Sequence, residues 1–474
     1  MARKRESQAG GRLRRRGRTC LSGLVVACAA AAGLSARPAA AGNRETNPLS
    51  NEAALTGGAV TALGRDTGAI YYNPAGLGAV RRTQFNLSTQ AAQFRARIVP
   101  YAAVADLPNG RRDAATLSSL QGLVMPSSLA VTRHIGRGVT LGLGYFAPDY
   151  DYYDYSASLQ GAGGGTEYDA RIQVDGWVYR YHAGAAVGWQ PHPRFRIGAT
   201  LFGTYGWQRE EMRMWIDAAS GTADARTDAT RTVDFDNKRS IFGGEAVVGL
   251  QWEFAKNVHL GLTFRTPRFV AFEVHRSYLL NSSNVDRPDG DDEYKFEFDD
   301  SPSPSRRGRV APMRLTMGVA YALPKRRGWV SGEMDFSPGL RPKGSDINIR
   351  PIWNVRAGAR LRTAERLYFG IGVFSDRDDQ VHTSAFPQFR INYYGVTTGV
   401  EFFSPVRLGK GERARSIVFS TCIAVRYSYG RGSAAQIIFD LRDAPSGRVG
   451  YDIGTVDRVA FHLFAGHLGM GTYF

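Results

Sequence analysis

Residues 313–321 read Met-Arg-Leu-Thr-Met-Gly-Val-Ala-Tyr, with an apolar side chain at nearly every second position. The same period governs 139–145, 258–265 and 353–361. A repeat of two sends alternate side chains to opposite faces of a strand, so each strand separates two different surroundings. A soluble sandwich gives this alternation with its apolar side inward. The connections separate the two cases. Short ones (135–138, 191–194, 255–257, 324–328, 363–365 and the longer 404–415) strictly alternate with long polar ones (99–126, 148–170, 210–232, 277–308, 338–351, 375–390 and 429–455). A transmembrane barrel sorts its connections in this way, with short periplasmic turns and long outer loops. No run of eighteen apolar residues follows residue 41, so no helix is available to span a bilayer, and a membrane chain of this kind must close into a barrel.

Strands between these breaks fall at 83–98, 127–134, 139–147, 171–190, 195–209, 233–254, 258–276, 309–323, 329–337, 352–362, 366–374, 391–403, 416–428 and 456–474. The expected fold is therefore all-β, a 14-stranded antiparallel transmembrane β-barrel. An even count puts both chain ends on one side. Several strands exceed the roughly 9–11 residues that span, so their tips rise above the bilayer. Tyr145, Phe146, Trp189, Trp252, Phe264, Trp329, Trp353 and Tyr473 near strand ends suit interfacial girdles.

The chain carries a formal net charge of +17, much of it at the front. Residues 1–41 hold nine Lys/Arg and one acid, which leaves 51 basic against 42 acidic groups behind them. The remaining excess forms no basic stripe interleaved with aromatics, so nucleic acid is not an expected partner. A basic stretch to residue 18, an alanine-rich apolar stretch to 36 and Ala39-Ala40-Ala41 read as a signal peptide, with Gly42 or Asn43 as the first mature residue. A single membrane anchor is the competing reading, and Val25-Val26-Ala27-Cys28 loosely matches a lipoprotein site. Cys20 and Cys28 lie in this leader, and a lone Cys422 behind it excludes an intramolecular disulfide.

Between leader and strands, residues 51–66 are rich in small side chains and too poor in apolar bulk to form a core alone. The stretch Gly68-Ala69-Ile70-Tyr71-Tyr72-Asn73-Pro74-Ala75-Gly76-Leu77-Gly78 follows. Pro74 fixes its own φ and pushes Asn73 toward extended geometry, so an extended aromatic pair is expected to enter a rigid corner that two glycines let fold back. Such a segment reads as a plug, or as a surface turn. Its Asn-Pro-Ala-Gly-Leu motif resembles the N-terminal hatch of the FadL family, outer-membrane channels for long-chain fatty acids and other hydrophobic molecules. The order of elements extends the likeness: residues 1–41 as leader, 42–82 as hatch and 83–474 as barrel, with echoes at 142–148 and 312–315 and an aromatic Phe474 like the signal read by the barrel-assembly machinery.

That resemblance implies capture at the outer loops, passage to a pocket in the barrel, and lateral release at a kink in the third strand. Asn73, Pro74, Ala75 and Gly76 would form the hatch corner. Gly142, Gly144 and Pro148 are the kink candidates. Met212, Met214, Trp215 and Ile216 in the third loop, with Tyr278, Leu279 and Leu280 in the fourth, are capture candidates; strand continuation above the bilayer is their plainer reading. The expected partners are a hydrophobic small molecule, outer-membrane lipid and lipopolysaccharide, for a monomer in a Gram-negative outer membrane.

Other chemistry is poorly supplied. His462 and His467 differ by an odd number and face opposite sides of a strand, and His382 with Ser384 is the best loop pair for an enzyme, which needs a nucleophile, a base and an orienting group. No cluster has zinc spacing, Gly161–Gly165 lacks the frame of a phosphate loop, and the acid-rich 286–300 misses an EF-hand. It reads as a solvated loop, as does the aromatic-acidic run 149–155. No cofactor or metal is expected. Arg314, Arg356 and Arg360 point inward, and this keeps a diffusion porin for polar solutes open as an alternative, with a structural or adhesive barrel as a third.

Overall fold

The computed structural model describes residues 47–222, 225–288, 293–301, 312–340, 349–379, 389–408 and 415–474. The expected leader and its cleavage site lie outside them, as do His382 and Ser384.

Two short helices, α1 (Asn51–Leu55) and α2 (Ala69–Tyr72), and a 3-10 turn (Pro74–Ala79) precede the strands. These are β1 (Gln84–Asp106), β2 (Arg112–Gly136), β3 (Val139–Gly163), β4 (Thr166–His192), β5 (Phe195–Thr222), β6 (Ala225–Ala255), β7 (Val258–Arg265), β8 (Phe269–Asp286), β9 (Glu293–Ser301), β10 (Arg314–Ala322), β11 (Gly328–Ser337), β12 (Ile352–Ala364), β13 (Leu367–Asp376), β14 (Phe389–Leu408), β15 (Arg415–Asp440) and β16 (Gly450–Tyr473). Sequential strands pair antiparallel from β1 to β6. Then β7 takes one stretch of the free flank of β6 and β8 the next, with β10 beside β7 and β9 beside β8. From β10 to β16 the order is again sequential, and β16 pairs back onto β1 from Gln84↔Tyr473 to Ile98↔Ala460. The sheet thus closes on itself in a ring. The Phe474 amide completes the seam by donating to the Thr83 carbonyl at 3.0 Å.

The two faces are inverted relative to a soluble domain. On β10, Leu315, Met317, Val319 and Tyr321 are exposed on the outside, while Arg314, Thr316 and Ala320 are buried within. Leu141, Leu143, Val248, Val355, Ile371, Ile423 and Val425 repeat the pattern around the ring. An outer surface this apolar demands apolar surroundings. Tyr145, Trp189, Trp252 and Trp353 stand on that face as expected. Phe146 and Trp329 do not: their register turns them inward, where both pack into the cluster built around Tyr71.

The long polar connections are corrected by the structure. Residues 99–106, 112–126, 148–163, 210–222, 277–286 and 429–440, expected as loops, continue their strands. Beyond the apolar band the outward side chains turn polar, so these stretches read as polar connections, although inward ones such as Tyr155, Ile172 and Met214 stay buried in an apolar cluster. The antiparallel ladder persists because it still satisfies the backbone. The tip of β1 departs from the ring at Tyr101, whose φ of 54° marks the bend. Beyond it Ala103–Asp106 pair in parallel with Ile437–Asp440 of β15, which draws the β1–β2 hairpin across the upper mouth.

Candidate functional site

Residues 47–80 are almost wholly buried, and their partners lie on every side of the ring. Ser50 caps α1 by accepting from the Ala53 amide at 3.3 Å. Asn51 donates to Glu401 on β14 at 3.0 Å, and the Thr61 amide donates to Glu333 on β11 at 3.0 Å. Ser331 Oγ donates to the Ala59 carbonyl at 2.6 Å, and Thr200 on β5 to that of Ile70 at 2.8 Å. Backbone groups that a segment without its own sheet leaves open are thereby closed by inward side chains of the wall.

The Asn73-Pro74 corner is real but built differently from the expectation. Tyr71 and Tyr72 belong to the single-turn α2 and are not extended. Asn73 is extended (φ −152°, ψ 100°), and its Oδ1 accepts from the Ala75 amide at 3.1 Å to cap the 3-10 turn that Pro74 opens. Its Nδ2 donates to the Thr61 carbonyl at 2.7 Å and to the Leu250 carbonyl of β6 at 3.2 Å. One side chain therefore ties the corner to itself, to the preceding loop and to the wall. Gly76 and Gly78 adopt no left-handed geometry. They permit close approach instead: a Cβ on Gly76 would strike the Gly64 carbonyl, and one on Gly78 the backbone of Trp189. The wall answers in kind, since Gly198 and Gly249 lie against Pro74 and Asn73 with no room for a side chain.

Charges inside the ring are largely paired. Arg356 bridges Glu333 and Asp335 at 2.9 Å each, and Arg360 meets Glu401 at 2.7 Å. Arg265 pairs with Glu245, donates to the Tyr71 carbonyl at 2.7 Å and stacks over the Tyr71 ring at 4.3 Å. Of the three arginines expected inward, Arg356 and Arg360 hold the Glu333 and Glu401 carboxylates that accept from the segment, and Arg314 is buried on the inner face of β10. A small cavity lies against the segment, bordered by Asn47, Tyr72, Arg356, Phe374, Asp376 and Arg426.

The wall opens on one side. Pairing of β2 with β3 runs from Gly136↔Val139 to Ser128↔Phe146 and stops. Above that point β2 stays on β1 and β3 stays on β4, with a register shift between Phe146 and Asp149. The break falls at Ala147-Pro148, where one of the three kink candidates stands. Gly142 and Gly144 lie below it in unbroken ladder; Gly142 leaves room for Ile70. The freed edge of β3 is taken by side chains: Asn47 Nδ2 donates to the Ala147 carbonyl at 3.1 Å and the Asn47 amide to that of Pro148 at 3.3 Å. Arg95 and Arg97 of β1 reach the Tyr150 and Tyr152 carbonyls, and both pair with Asp151. The run 149–155, expected as a loop, is this edge. Two inward arginines spaced by two opposite an acidic-aromatic run were its signal, and Asn47 gave none.

Above the segment sits a buried apolar cluster that includes Leu117, Tyr155, Ile172, Phe439 and Phe461. Met212, Met214 and Ile216 lie in it, and Leu279 packs against it. The other capture candidates are elsewhere: Trp215 is on the opposite face of β5, and Tyr278 stacks edge-on with Phe298 at 5.3 Å. Leu280 shares the face of Tyr278, pairing with Asp234. All seven stand on β5 and β8, not on loops.

No protein-family model matches the chain, and no curated protein matches it in sequence. Solved structures do. The deltaS2 mutant of the TodX monoaromatic hydrocarbon channel aligns over 90% of this chain and 98% of its own, at 12% identity and a TM-score of 0.53. The P. putida toluene transporter TodX aligns over 89% and 97%, at 13% identity and 0.51. A Pseudomonas aeruginosa FadL homologue covers 91% and 99% at 13% identity and 0.48. Identities this low speak for the fold alone. The all-β ring expected from the FadL resemblance is the fold observed.

Proposed function

We propose that the chain is an outer-membrane channel for passive transport of hydrophobic small molecules, long-chain fatty acids or other apolar compounds, with lateral release. In this reading β7 with β8, and β9 with β10, each form one interrupted stave, so the sixteen segments make a barrel of fourteen. Residues 47–80 are its hatch. A fourteen-stranded barrel is wider than its own side chains fill, and the buried N-terminal segment supplies the missing volume. A polar-solute porin would leave inward charges facing water, whereas here Arg356, Arg360 and Arg265 are spent on carboxylates and on the segment.

The observation that carries the reading is the end of β2–β3 pairing at Ser128↔Phe146, beside the hatch and the cavity that shares Asn47 with it. An apolar molecule gathered in the upper cluster would leave sideways at Ala147-Pro148, past Asn47 and the Arg95 and Arg97 side chains that cover the edge. The test is to tether the edges. With Cys422 replaced by serine, Gln121→Cys and Asp154→Cys are joined by a short bis-maleimide. Uptake of an apolar fluorophore should fall severalfold while ion conductance stays unchanged. Uptake that survives the tether rejects lateral release, and high conductance of the unmodified protein favours the porin.

A further inference from the structure

We propose that the lower rim of the ring is a docking surface for the anionic phospholipid headgroups of the periplasmic leaflet. The inference rests on the barrel reading and on its placement of the short turns. Each of the six short connections carries an exposed cation: Arg137 between β2 and β3, Arg194 between β4 and β5, Lys256 between β6 and β7, Lys325 between β10 and β11, Arg362 at β12–β13 and Arg407 at the end of β14. None of the six forms an ion pair among the described residues; Arg362 donates only to the backbone carbonyls of Ala364 and Glu365.

The opposite rim shows what local neutralisation looks like. There Arg112 pairs with Asp106 at 2.6 Å, Arg111 with Asp113 at 2.8 Å, Arg226 with Asp228 at 2.7 Å and Arg442 with Asp440. Arginines at the upper tips thus meet carboxylates two to six residues away, while the six lower cations make no ion pair with the described carboxylates, Glu253 and Glu365 nearby in the chain included. An uncompensated cation at a membrane surface is attracted to anionic headgroups within about a Debye length.

The arrangement selects the kind of partner. The six cations are spaced around the full circumference, one per turn, so an acidic protein docking from one side would meet only a part of them. A lipid leaflet encircles the ring and meets all of them. Trp189 and Trp252, exposed on the outer face next to the turns bearing Arg194 and Lys256, fit the same level, since amphipathic rings settle among headgroups.

The experiment uses the whole chain in phosphatidylcholine vesicles carrying a trace of spin-labelled phosphatidylglycerol or spin-labelled phosphatidylcholine. The motionally restricted fraction of phosphatidylglycerol should exceed that of phosphatidylcholine by at least about twofold at low salt and converge with it at high salt. Replacing the six cations by glutamine should abolish the difference. Replacing Arg111, Arg112, Arg226 and Arg442 by glutamine should preserve it. Equal association of the two lipids with the unmodified protein overturns the proposal, as does a preference that survives the six-site variant. A rim that ignores phosphatidylglycerol yet binds an acidic protein overturns it too. Heat-modifiable gel mobility reports the barrel in every sample. A folded barrel without lipid preference sinks this proposal alone, whereas failure to form any barrel in vesicles sinks the barrel reading and this proposal with it.

Discussion

Asp66 accepts from the Glu52 and Gly68 amides at 3.0 Å each, in a loop of the buried segment where the Glu52 carboxylate also lies. Burial, and then the charge of Glu52, push its carboxyl up to about 7. A raised acid holds its proton more tightly in the seated segment than in a released one. Its contribution to seating is therefore complete below the free value near about 4 and is lost as pH rises through about 7. Amide exchange in 47–80, corrected for intrinsic rates, should lose protection across neutral pH, and Glu52→Gln should flatten that profile. An unchanged profile removes Asp66 from the account. Asn73→Ala tests the corner, since it uncaps the Ala75 amide and removes one donor each from the Thr61 and Leu250 carbonyls, of which Thr61 keeps Gln251, at a cost of roughly 1–3 kcal/mol. It should raise bilayer conductance; a silent Asn73→Ala would mean that the wall alone holds the segment. The corner was legible in sequence because proline constrains both itself and its neighbour. The helical turn at Tyr71-Tyr72 was not, because four residues carry no period, and the partners of Asn51, Asn73 and Arg265 are distant in the chain.

Among the elements, strands inside the apolar band were legible to within a few residues because their two faces meet different surroundings. Above the band the contrast reverses, with apolar side chains inward and polar ones outward, and β5 and β6 run on as a hairpin in which Trp215 pairs with Thr232 and Met214 with Val233. Hydrogen exchange should separate the readings: amides of 205–220 should be protected to a degree comparable with those of 195–204. Fast exchange throughout 210–220 would return that stretch to a loop. The apolar cluster at Met212, Met214 and Ile216 is the matching functional test. Met214→Asp places an unpaired charge in a dry cluster and should lower apolar uptake several-fold, whereas Trp215→Asp, on the opposite face, should change it little. Equal effects would mean that parity does not govern this region. Strand three shows what sequence can and cannot give. Pro148 is a residue that weakens a ladder, yet which neighbour β3 would leave, and that Asn47, Arg95 and Arg97 would cover the edge, depended on pairings far apart in the chain.

At the scale of the whole molecule, closure, orientation and obstruction make one linked expectation. Deleting 47–80 should convert a poorly conducting channel into a water-filled pore, and Gly198→Val, by pushing Pro74 from the wall, should give part of that increase. Conductance indifferent to both changes would mean that the segment does not obstruct the lumen. Single cysteines at Lys325 or Glu365 should stay unlabelled in intact cells, and one at Lys295 should react from outside. The reverse result would invert the barrel and relocate the basic rim with it. This level was the most legible in sequence, because alternating long and short connections constrain a closed sheet globally, whatever the error at any one boundary.

The bonds that seat the N-terminal segment join residues far apart in synthesis: 350 positions separate Asn51 from Glu401, and 272 separate Thr61 from Glu333. Contacts of such high order repay their loop-closure entropy only late. The first part of the chain to be made is thus among the last to find its partners, since β11 and β14 must exist before it has anything to grip. Refolding should therefore pass through a closed but leaky species. Barrel formation, followed by gel mobility, should run ahead of the fall in conductance and of the gain in protease resistance at 47–80. The truncated chain should lack the second phase.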